Sequence, residues 1–323
     1  MPHILITGAA GFVGQITARR LLELRPDVQL TLVDVVAPPA PSQNPNHAAR
    51  VRSVEADLAR DDSVVDGSVH AVLVFHGIMS AGAEADFELG LRANVDATRA
   101  LLEAIRKRAA GARVVYASSL AVYGRPAPAV VHERVVPTPE SSYGTQKLII
   151  EALINDYSRR KFIDGVSLRF PTVSIRPGKP TQAASSFLSG IIREPLAGKP
   201  SVVPVLDRQF RAWLTSPDVL VQNIVHALFT LNTDALPAHI RQVNLPGFTV
   251  SVQQMLDALQ AVGGQQAADL VSETEDLSIK EILYSWAQEY DNSYPLTLGF
   301  TVDESFDKVV RDYYNAHVLP TKN

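Results

Sequence analysis

Short apolar runs alternate with stretches of helical spacing through the first half of the chain. The runs predict β-strands at residues 3–7, 28–33, 51–55, 72–75, 114–117 and 166–170. The stretches between them predict helices at residues 15–24 and 84–110, the latter closed by Gly111, and a third that opens near Ser141. Alternation of this kind favours an α/β fold, with a doubly wound, Rossmann-type parallel sheet covered by helices on both faces.

The turn after the first predicted strand is rich in glycine, and the second strand closes on an acid. Gly8 permits a tight turn, Gly11 lets backbone N–H groups approach a pyrophosphate, and Gly14 lets helix and strand pack closely. The helix N-terminus adds partial positive charge. We therefore predict a dinucleotide site at this turn, formed by Gly8, Ala10, Gly11, Phe12, Val13 and Gly14.

Asp34 ends the second strand, twenty residues after Gly14. A carboxylate there accepts hydrogen bonds from the adenosine ribose hydroxyls and repels a 2′-phosphate, which predicts NAD rather than NADP. The alternative is a solvated acid at the end of a strand.

Composition narrows the classes of partner. The 323 residues are 46% hydrophobic and 20% charged, with a net charge of −4, which argues against nucleic acid or an anionic membrane as partner. The absence of cysteine excludes disulfides, thiolate catalysis and cysteine-based metal sites, and we expect no metal. Apolar runs are shorter than a membrane span, and a strand begins at His3, which leaves no room for a signal peptide. The expectation is a cytoplasmic protein.

Tyr143 and Lys147 are four residues apart, so they share one face of a helix. An ammonium beside a phenol favours the phenolate, which makes the pair a candidate acid/base. Tyr-x-x-x-Lys also occurs by chance, but here a glycine-rich turn and the pair Ser118-Ser119 precede it. Together these motifs resemble the short-chain dehydrogenase/reductase superfamily, in its extended, nucleotide-sugar-epimerase-like branch.

The resemblance implies roles for several residues. Ser119 would bind the reacting oxygen, Tyr143 would move its proton, and Lys147 would lower the pKa of Tyr143 and hold the nicotinamide ribose. Ser80 becomes a substrate contact. The helix at 84–110 and the helix of Tyr143 would pair in a homodimer, although their apolar residues also suit the core of one domain. Further cofactor contacts implied are Asp57, Leu58, His76, Asn94, Pro171, Thr172 and Val173. Instead of contacting the cofactor, His76 could have a purely structural role, and Asn94 could position neighbouring parts of the site.

Three chemistries share this scaffold. Dehydratases of the branch carry Asp-Glu after the catalytic Ser or Thr, whereas this chain has Leu120 and Ala121, which cannot transfer protons. This chain does not preserve the segments with which the epimerases bind a nucleotide. Arg211 remains as a possible phosphate ligand. An ordinary NAD-dependent dehydrogenase remains, with a nucleotide-sugar 4-epimerase that binds NAD tightly as the alternative. A non-catalytic NAD(P) sensor is disfavoured because Ser119, Tyr143 and Lys147 are all present.

The segment from Arg176 to Leu196 most resembles the D-erythronate dehydrogenases, which implies oxidation of the C2 hydroxyl of a four-carbon sugar acid to a 2-keto acid. A carboxylate substrate calls for a cation, best an arginine. Lys179 and Arg193, with Ser186, are the predicted substrate contacts, Arg176 lies in the same segment, and each cation could instead be a solvated surface charge. The predicted NAD-binding domain covers residues 1–177 and 211–246. A smaller substrate-binding lobe covers residues 178–210 and 247–323.

Overall fold

The computed structural model describes residues 2–179 and 184–322 of the chain. The strands are β1 His3–Thr7, β2 Gln29–Asp34, β3 Val51–Glu55, β4 Val69–Val74, β5 Arg113–Ser119, β6 Asp164–Phe170, β7 Thr172–Val173, β8 Ser201–Val203, β9 Arg211–Thr215, β10 Gln242–Asn244, β11 Phe248–Ser251 and β12 Val271–Glu273. The helices are α1 Phe12–Leu24, α2 Pro45–Ala48, α3 Ser80–Ala85, α4 Phe87–Gly90, α5 Ala97–Arg108, α6 Ser142–Arg159, α7 Phe187–Leu196, α8 Pro217–Phe229, α9 Val252–Ala268, α10 Leu277–Tyr284, α11 Ser293–Thr297, α12 Phe306–His317 and α13 Leu319–Lys322.

A seven-stranded sheet in the order β3-β2-β1-β4-β5-β6-β10 forms the larger domain, and all its strands are parallel. Helices cover both faces: Leu21 of α1 and Ile224 of α8 are buried on one, Leu101 of α5 and Ile150 of α6 on the other. The predicted doubly wound fold is therefore confirmed. The chain order reverses between β1 and β4, where such sheets open a crevice for ligands at the carboxyl ends of their strands.

The predicted single helix at residues 84–110 is wrong, because the segment is divided. A separate short helix, α3, begins at Ser80, and α4 begins after Asp86, whose Oδ1 accepts a hydrogen bond from the Leu89 N–H at 2.9 Å. A π-helical stretch, Leu91–Asp96, then leads into α5. Gly111 follows α5 in the left-handed region, with φ of 81°, in agreement with its predicted place after the helix.

The smaller lobe contains two minor sheets, β11-β9-β7 and β12-β8, and a separate apolar core around Ile191, Met255 and Val310. The strand β9 pairs with β11 and β7, outside the seven-stranded sheet, and the predicted domain boundary at Arg211 stays a prediction. The helix α8 packs against the seven-stranded sheet, with Ser216 as its N-cap and Pro217 at its first position. Residues 180–183 of the predicted lobe lie outside the described residues.

None of the helices in the described ranges has the length and apolar character needed to cross a bilayer.

Candidate active site

The turn between β1 and α1 is shaped by close backbone contacts. Gly8 has φ of +65°, and a Cβ there would lie 2.5 Å from the backbone nitrogen of His76. A Cβ on Gly14 would lie 2.6 Å from the carbonyl oxygen of Gly8. The helix begins at Phe12, and Gly11 at its N-cap offers no capping side chain. The first-turn N–H groups, those of Phe12 and Val13 included, are thus left available for an anion such as a diphosphate, and the turn fits a dinucleotide.

Asp34 lies against this turn at the end of β2. Its Oδ2 accepts a hydrogen bond from the Ala10 N–H at 2.9 Å, and its Oδ1 accepts one from the Val35 N–H at 2.8 Å. Each carboxylate oxygen has a second lone pair, so the group retains the capacity to accept hydrogen bonds from ribose hydroxyls.

The side chains of Asp57 and Leu58 make contacts within the protein. The Oδ1 of Asp57 accepts a hydrogen bond from the Ala59 N–H at 3.0 Å, and Arg60 lies 3.5 Å from its carboxylate. Leu58 is buried in the apolar core beneath the sheet. The two residues stabilise the loop after β3, and their predicted contact with adenine stays a prediction.

Both ring nitrogens of His76 are hydrogen-bonded inside the protein. Nδ1 lies 2.7 Å from the hydroxyl of Thr7, and Nε2 lies 3.1 Å from the hydroxyl of Thr98. Burial lowers the pKa of His76 to about 3, and the charge of Lys147 acts in the same direction. The neutral ring connects β1 with α5, which is the structural role that the sequence left open, and its donor and acceptor are already used.

Asn94 is buried in the π-helical stretch, and its amide holds two other elements. Its Oδ1 accepts a hydrogen bond from the Ile78 N–H at 2.7 Å, and its Nδ2 donates to the Ile78 carbonyl at 3.1 Å and to Gln146 Oε1 at 2.6 Å. Asn94 therefore positions the loop after β4 against α6, as its alternative interpretation proposed.

Ser119 and Tyr143 come together where β5 ends and α6 begins. Ser141 caps α6, since its Oγ accepts a hydrogen bond from the Gly144 N–H at 3.1 Å. A Cβ on Gly144 would lie 2.2 Å from the carbonyl oxygen of Ala121, so glycine allows the helix to approach the end of β5 closely. The Ser119 side chain lies close enough to the Tyr143 hydroxyl to lower the pKa of that phenol. The fold thus brings together two residues that lie 24 positions apart in the sequence.

Lys147 is buried one turn further along α6. Its Nζ donates to the Ala117 carbonyl at 2.7 Å and lies 5.4 Å from the centre of the Tyr143 ring. Burial lowers the pKa of Lys147 to about 8, against the opposing charge of Glu151.

Burial also decides the ionisation of Tyr143. It raises the pKa of Tyr143 to about 12, and the Ser119 side chain opposes part of that rise. The predicted lowering of this pKa by Lys147 stays a prediction, because only burial and Ser119 account for the shift here. The largest cause of the rise is the cost of removing the phenolate from water.

The segment Pro171-Thr172-Val173 begins beside the serine pair. Phe170, which precedes it, is in register with Ser119 across β5 and β6. Thr172 and Val173 form β7, which pairs with β9, and Pro171 is buried. Ser80, at the first position of α3, is partly buried. The positions of both groups suit the contacts predicted for them, which stay predictions.

The two arginines of the predicted substrate segment differ in their partners. Arg193 is buried; its Nε and Nη2 donate to Glu194 Oε1 at 2.9 and 2.7 Å, and its Nη1 donates to the Arg176 carbonyl at 2.8 Å. Arg176 is half-buried, and no described carboxylate lies within ion-pairing distance of its guanidinium. Burial lowers the pKa of Arg176, as does the charge of Arg193. Lys179 is exposed and Ser186 is buried.

Two charged residues near the site were missed by the sequence analysis. Glu151 and Arg169 form a buried ion pair behind Lys147, with Nη2 and Oε2 2.6 Å apart. The spacing of four between Lys147 and Glu151 was a signal for the acid, because it places both on one helix face. Nothing in the local pattern indicated Arg169, whose partner is 18 residues away in the sequence.

Similarity to known proteins identifies the family of this chain. Residues 4–239 match the model of the NAD dependent epimerase/dehydratase family. The chain belongs to this family. It therefore belongs to the extended branch of the short-chain dehydrogenases/reductases, and the resemblance inferred from the motifs is confirmed.

Two relatives within the epimerase/dehydratase family match nearly the whole chain. A D-erythronate dehydrogenase of Haemophilus influenzae is 42% identical over 96% of this chain and 98% of its own length. A D-erythronate dehydrogenase of Cupriavidus necator is 44% identical over 96% and 97%. The crystal structure of the nucleoside-diphosphate-sugar epimerase from Agrobacterium tumefaciens is similar with a TM-score of 0.91 and 36% identity, covering 98% of this chain and 94% of that one.

Proposed function

We propose that the protein is an NAD-dependent dehydrogenase that oxidises the C2 hydroxyl of a small sugar acid, such as D-erythronate, to a 2-keto acid. The observation that carries the proposal is the similarity, over nearly the whole chain, to two D-erythronate dehydrogenases. The proximity of Ser119 to Tyr143, with Lys147 one turn further along the same helix, supports these residues as the acid/base centre of such a reaction.

The β1–α1 turn would hold the diphosphate of NAD on the N–H groups at the start of α1, and Asp34 would hold the adenosine ribose. When bound, the nicotinamide supplies the hydride acceptor. Since a second negative charge beside Asp34 is unfavourable, we expect kcat/KM with NAD to exceed that with NADP by at least about tenfold. Equal values for the two cofactors would contradict this placement of Asp34.

The protein's own residues would manage the proton of the substrate hydroxyl. Tyr143 would accept it, and Ser119 would donate a hydrogen bond to the same oxygen as negative charge develops. Because burial raises the pKa of Tyr143 to about 12, few molecules carry the phenolate at neutral pH. Oxidation should therefore become faster as the pH is raised from neutrality.

Arg176 is the residue that we propose for the substrate carboxylate. Its guanidinium is half-buried, has no anionic partner among the described residues, and is destabilised as a cation by burial and by Arg193. An anion bound there would relieve both unfavourable effects, and arginine can bind a carboxylate with two parallel hydrogen bonds. Arg193, the residue favoured from the sequence, already donates to Glu194 and to a carbonyl group. We therefore propose that Arg193 holds Arg176 in place and does not itself contact the substrate.

A nucleotide-sugar epimerase is the second candidate, favoured by the similarity to the nucleoside-diphosphate-sugar epimerase from Agrobacterium tumefaciens. Arg211, the possible phosphate ligand, is half-exposed, with Nη1 3.6 Å from Glu289 Oε2. This weak surface ion pair leaves Arg211 available to a solvent-exposed phosphate, but it is not a built pocket.

One experiment separates the two candidates: NADH formation is measured with a panel of aldonates, the corresponding neutral polyols and aldoses, and a panel of nucleotide sugars. We expect turnover with the four-carbon acids and little with the neutral analogues. Turnover of a nucleotide sugar with NAD retained on the protein would favour the epimerase and would make Arg211 the residue to mutate.

We also propose a cytoplasmic location, where NAD is abundant, and a homodimer formed through the helices around α5 and α6. Ile149, on the outer side of α6, is 39% exposed, which suits a covered face. Light scattering of the purified protein measures the oligomeric state, and a monomer at working concentration would contradict the dimer.

A further inference from the structure

Glu151 and Arg169 form a doubly hydrogen-bonded ion pair in the interior. Arg169 Nε donates to Glu151 Oε1 at 2.8 Å and Nη2 donates to Oε2 at 2.6 Å, and the side chains are 3% and 0% exposed for Arg169 and Glu151. Moving two charges out of water is costly, and a buried pair of this kind often adds little net stability. Its location behind Lys147 suggests a role other than stability.

The carboxylate of Glu151 connects the catalytic helix to the strand that carries Ser119. Glu151 lies on α6 one turn beyond Lys147, and its Oε1 also accepts a hydrogen bond from Ser118 Oγ at 2.5 Å. Ser118 directly precedes Ser119 at the end of β5, and it is in register with Arg169 on β6. One carboxylate therefore fixes α6, β5 and β6 relative to one another.

The guanidinium of Arg169 extends this network across the sheet. Its Nη1 donates to the Tyr123 hydroxyl at 2.5 Å, and its central carbon lies 4.9 Å from the centre of that ring. The Tyr123 hydroxyl donates in turn to Asn244 Oδ1 at 3.1 Å, at the end of β10. The ion pair is thus held from both sides, and its position leaves little freedom for the end of β5.

We propose that the Glu151–Arg169 pair is a positioning element of the active site, which holds the end of β5 that bears Ser119 and places a carboxylate one turn from Lys147 on α6. This inference rests on the proposed function, because it gives a purpose to the charge of Lys147 and to the placement of Ser119. Glu151 acts through Lys147 and Ser118 and does not contact substrate.

The groups around Lys147 explain why Glu151 is needed. Tyr143 faces Lys147 from the same helix, Tyr116 from β5 at 4.7 Å from ring centre to Nζ, and His76 from the end of β4. Burial raises the pKa of both tyrosines and lowers that of His76, so these three groups are neutral near pH 7. Among the described groups that act on Lys147, Glu151 is therefore the one that carries negative charge.

The test measures the charge of Lys147 directly. The chain has eight lysines, so protein labelled with ¹³C at lysine Cε gives few NMR signals, and the signal missing from Lys147→Met identifies Lys147. We expect Glu151→Gln to lower the titration midpoint of Lys147 by at least about one pH unit. The kcat of the full-length enzyme at pH 7 should fall at least about tenfold, and its pH profile should shift with the midpoint. Glu151→Asp, which retains the charge, should restore most of the midpoint.

Glu103→Gln is the matched control. Glu103 also pairs with an arginine, Arg106, and also accepts a hydrogen bond from a hydroxyl, that of Tyr157, but it lies on α5 outside the site. It should leave the Lys147 midpoint and the pH profile unchanged. An unchanged midpoint in folded Glu151→Gln, or an equal shift in Glu103→Gln, would overturn the inference.

A second variant keeps the inference testable if the first one does not fold. If Glu151→Gln fails to fold because Arg169 is left as an unpaired buried charge, the double variant Glu151→Gln with Arg169→Met removes that charge. Its Lys147 midpoint should still fall, and an unchanged value would overturn the inference. A wild-type protein that oxidises no sugar acid would contradict the proposed function alone, because the NMR titration does not depend on turnover.

Discussion

The β1–α1 turn and the arginine pair of the smaller lobe are the two regions that we propose to bind an anion, and their structures differ. At the turn the binding groups are backbone N–H groups, held by glycines whose Cβ positions are filled by neighbouring backbone. In the lobe they are long side chains, and a neighbour decides which one is available: Glu194 pairs with Arg193, while Arg176 has no such partner among the described residues. A backbone site follows from local sequence, whereas a side-chain site depends on contacts made after folding.

The largest effect should come from a change that leaves both anion sites intact. Tyr143→Phe removes only the hydroxyl that would accept the proton, so kcat should fall by about two to four powers of ten. The affinity for NAD, measured by fluorescence titration, and the KM for the acid should change little. Near-normal turnover would show that a group other than Tyr143 is the acid/base.

Replacement of the arginines tests the lobe side of the comparison. Arg176→Met should raise the KM for a sugar acid at least about tenfold, because the carboxylate loses its partner. Arg193→Met, the matched control, removes support without removing the proposed contact, so it should lower the stability of the protein more than it raises KM. Steady-state kinetics with urea unfolding of both variants gives the two quantities. The opposite ranking of the KM values would return the assignment to Arg193.

Two glycine replacements test the turn. Gly8→Ala places a Cβ at 2.5 Å from backbone in a left-handed conformation, so the free energy of unfolding should fall by at least about 2 kcal/mol. Gly11→Ala has no positive φ to strain, and its added Cβ would meet the Gly8 carbonyl oxygen at 3.2 Å. It should weaken NAD binding with a smaller loss of stability. Equal losses of stability in Gly8→Ala and Gly11→Ala would contradict the close backbone contact and left-handed conformation described for Gly8.

The smallest effect near neutral pH concerns His76, which lies beside the turn. Burial lowers its pKa to about 3, whereas an unfolded chain binds a proton near pH 6.5, so the unfolded state binds more protons between these values. The stability that the neutral ring contributes is present above pH 6.5 and is lost as the pH falls below it, by at most about 1.4 kcal/mol per pH unit. Urea unfolding at several pH values should show a shallower decline for His76→Gln. Identical slopes would contradict the buried, neutral ring.

The sequence by itself determined the large domain and the local parts of the site. The sequence placed the strands β1 to β6 to within a few residues, and for all of them except the half-exposed edge strand β3 the reason is that buried parallel strands are largely apolar segments. The glycine spacing, Asp34 after β2, and Tyr143 with Lys147 on one helix all depend on neighbours close in the chain. Backbone conformation and helical periodicity dictate such features, so they can be read without the fold.

Tertiary structure alone decided the features that depend on distant neighbours. The pairing of β9 with β7 and β11, the pKa of Tyr143, and the hydrogen-bond partners of Arg193 all follow from which groups are buried together. The ion pair of Glu151 with Arg169 joins a helix to a strand across the interior. Desolvation and hydrogen-bond partners set the charge and availability of these groups, and both are properties of the packed protein rather than of any segment.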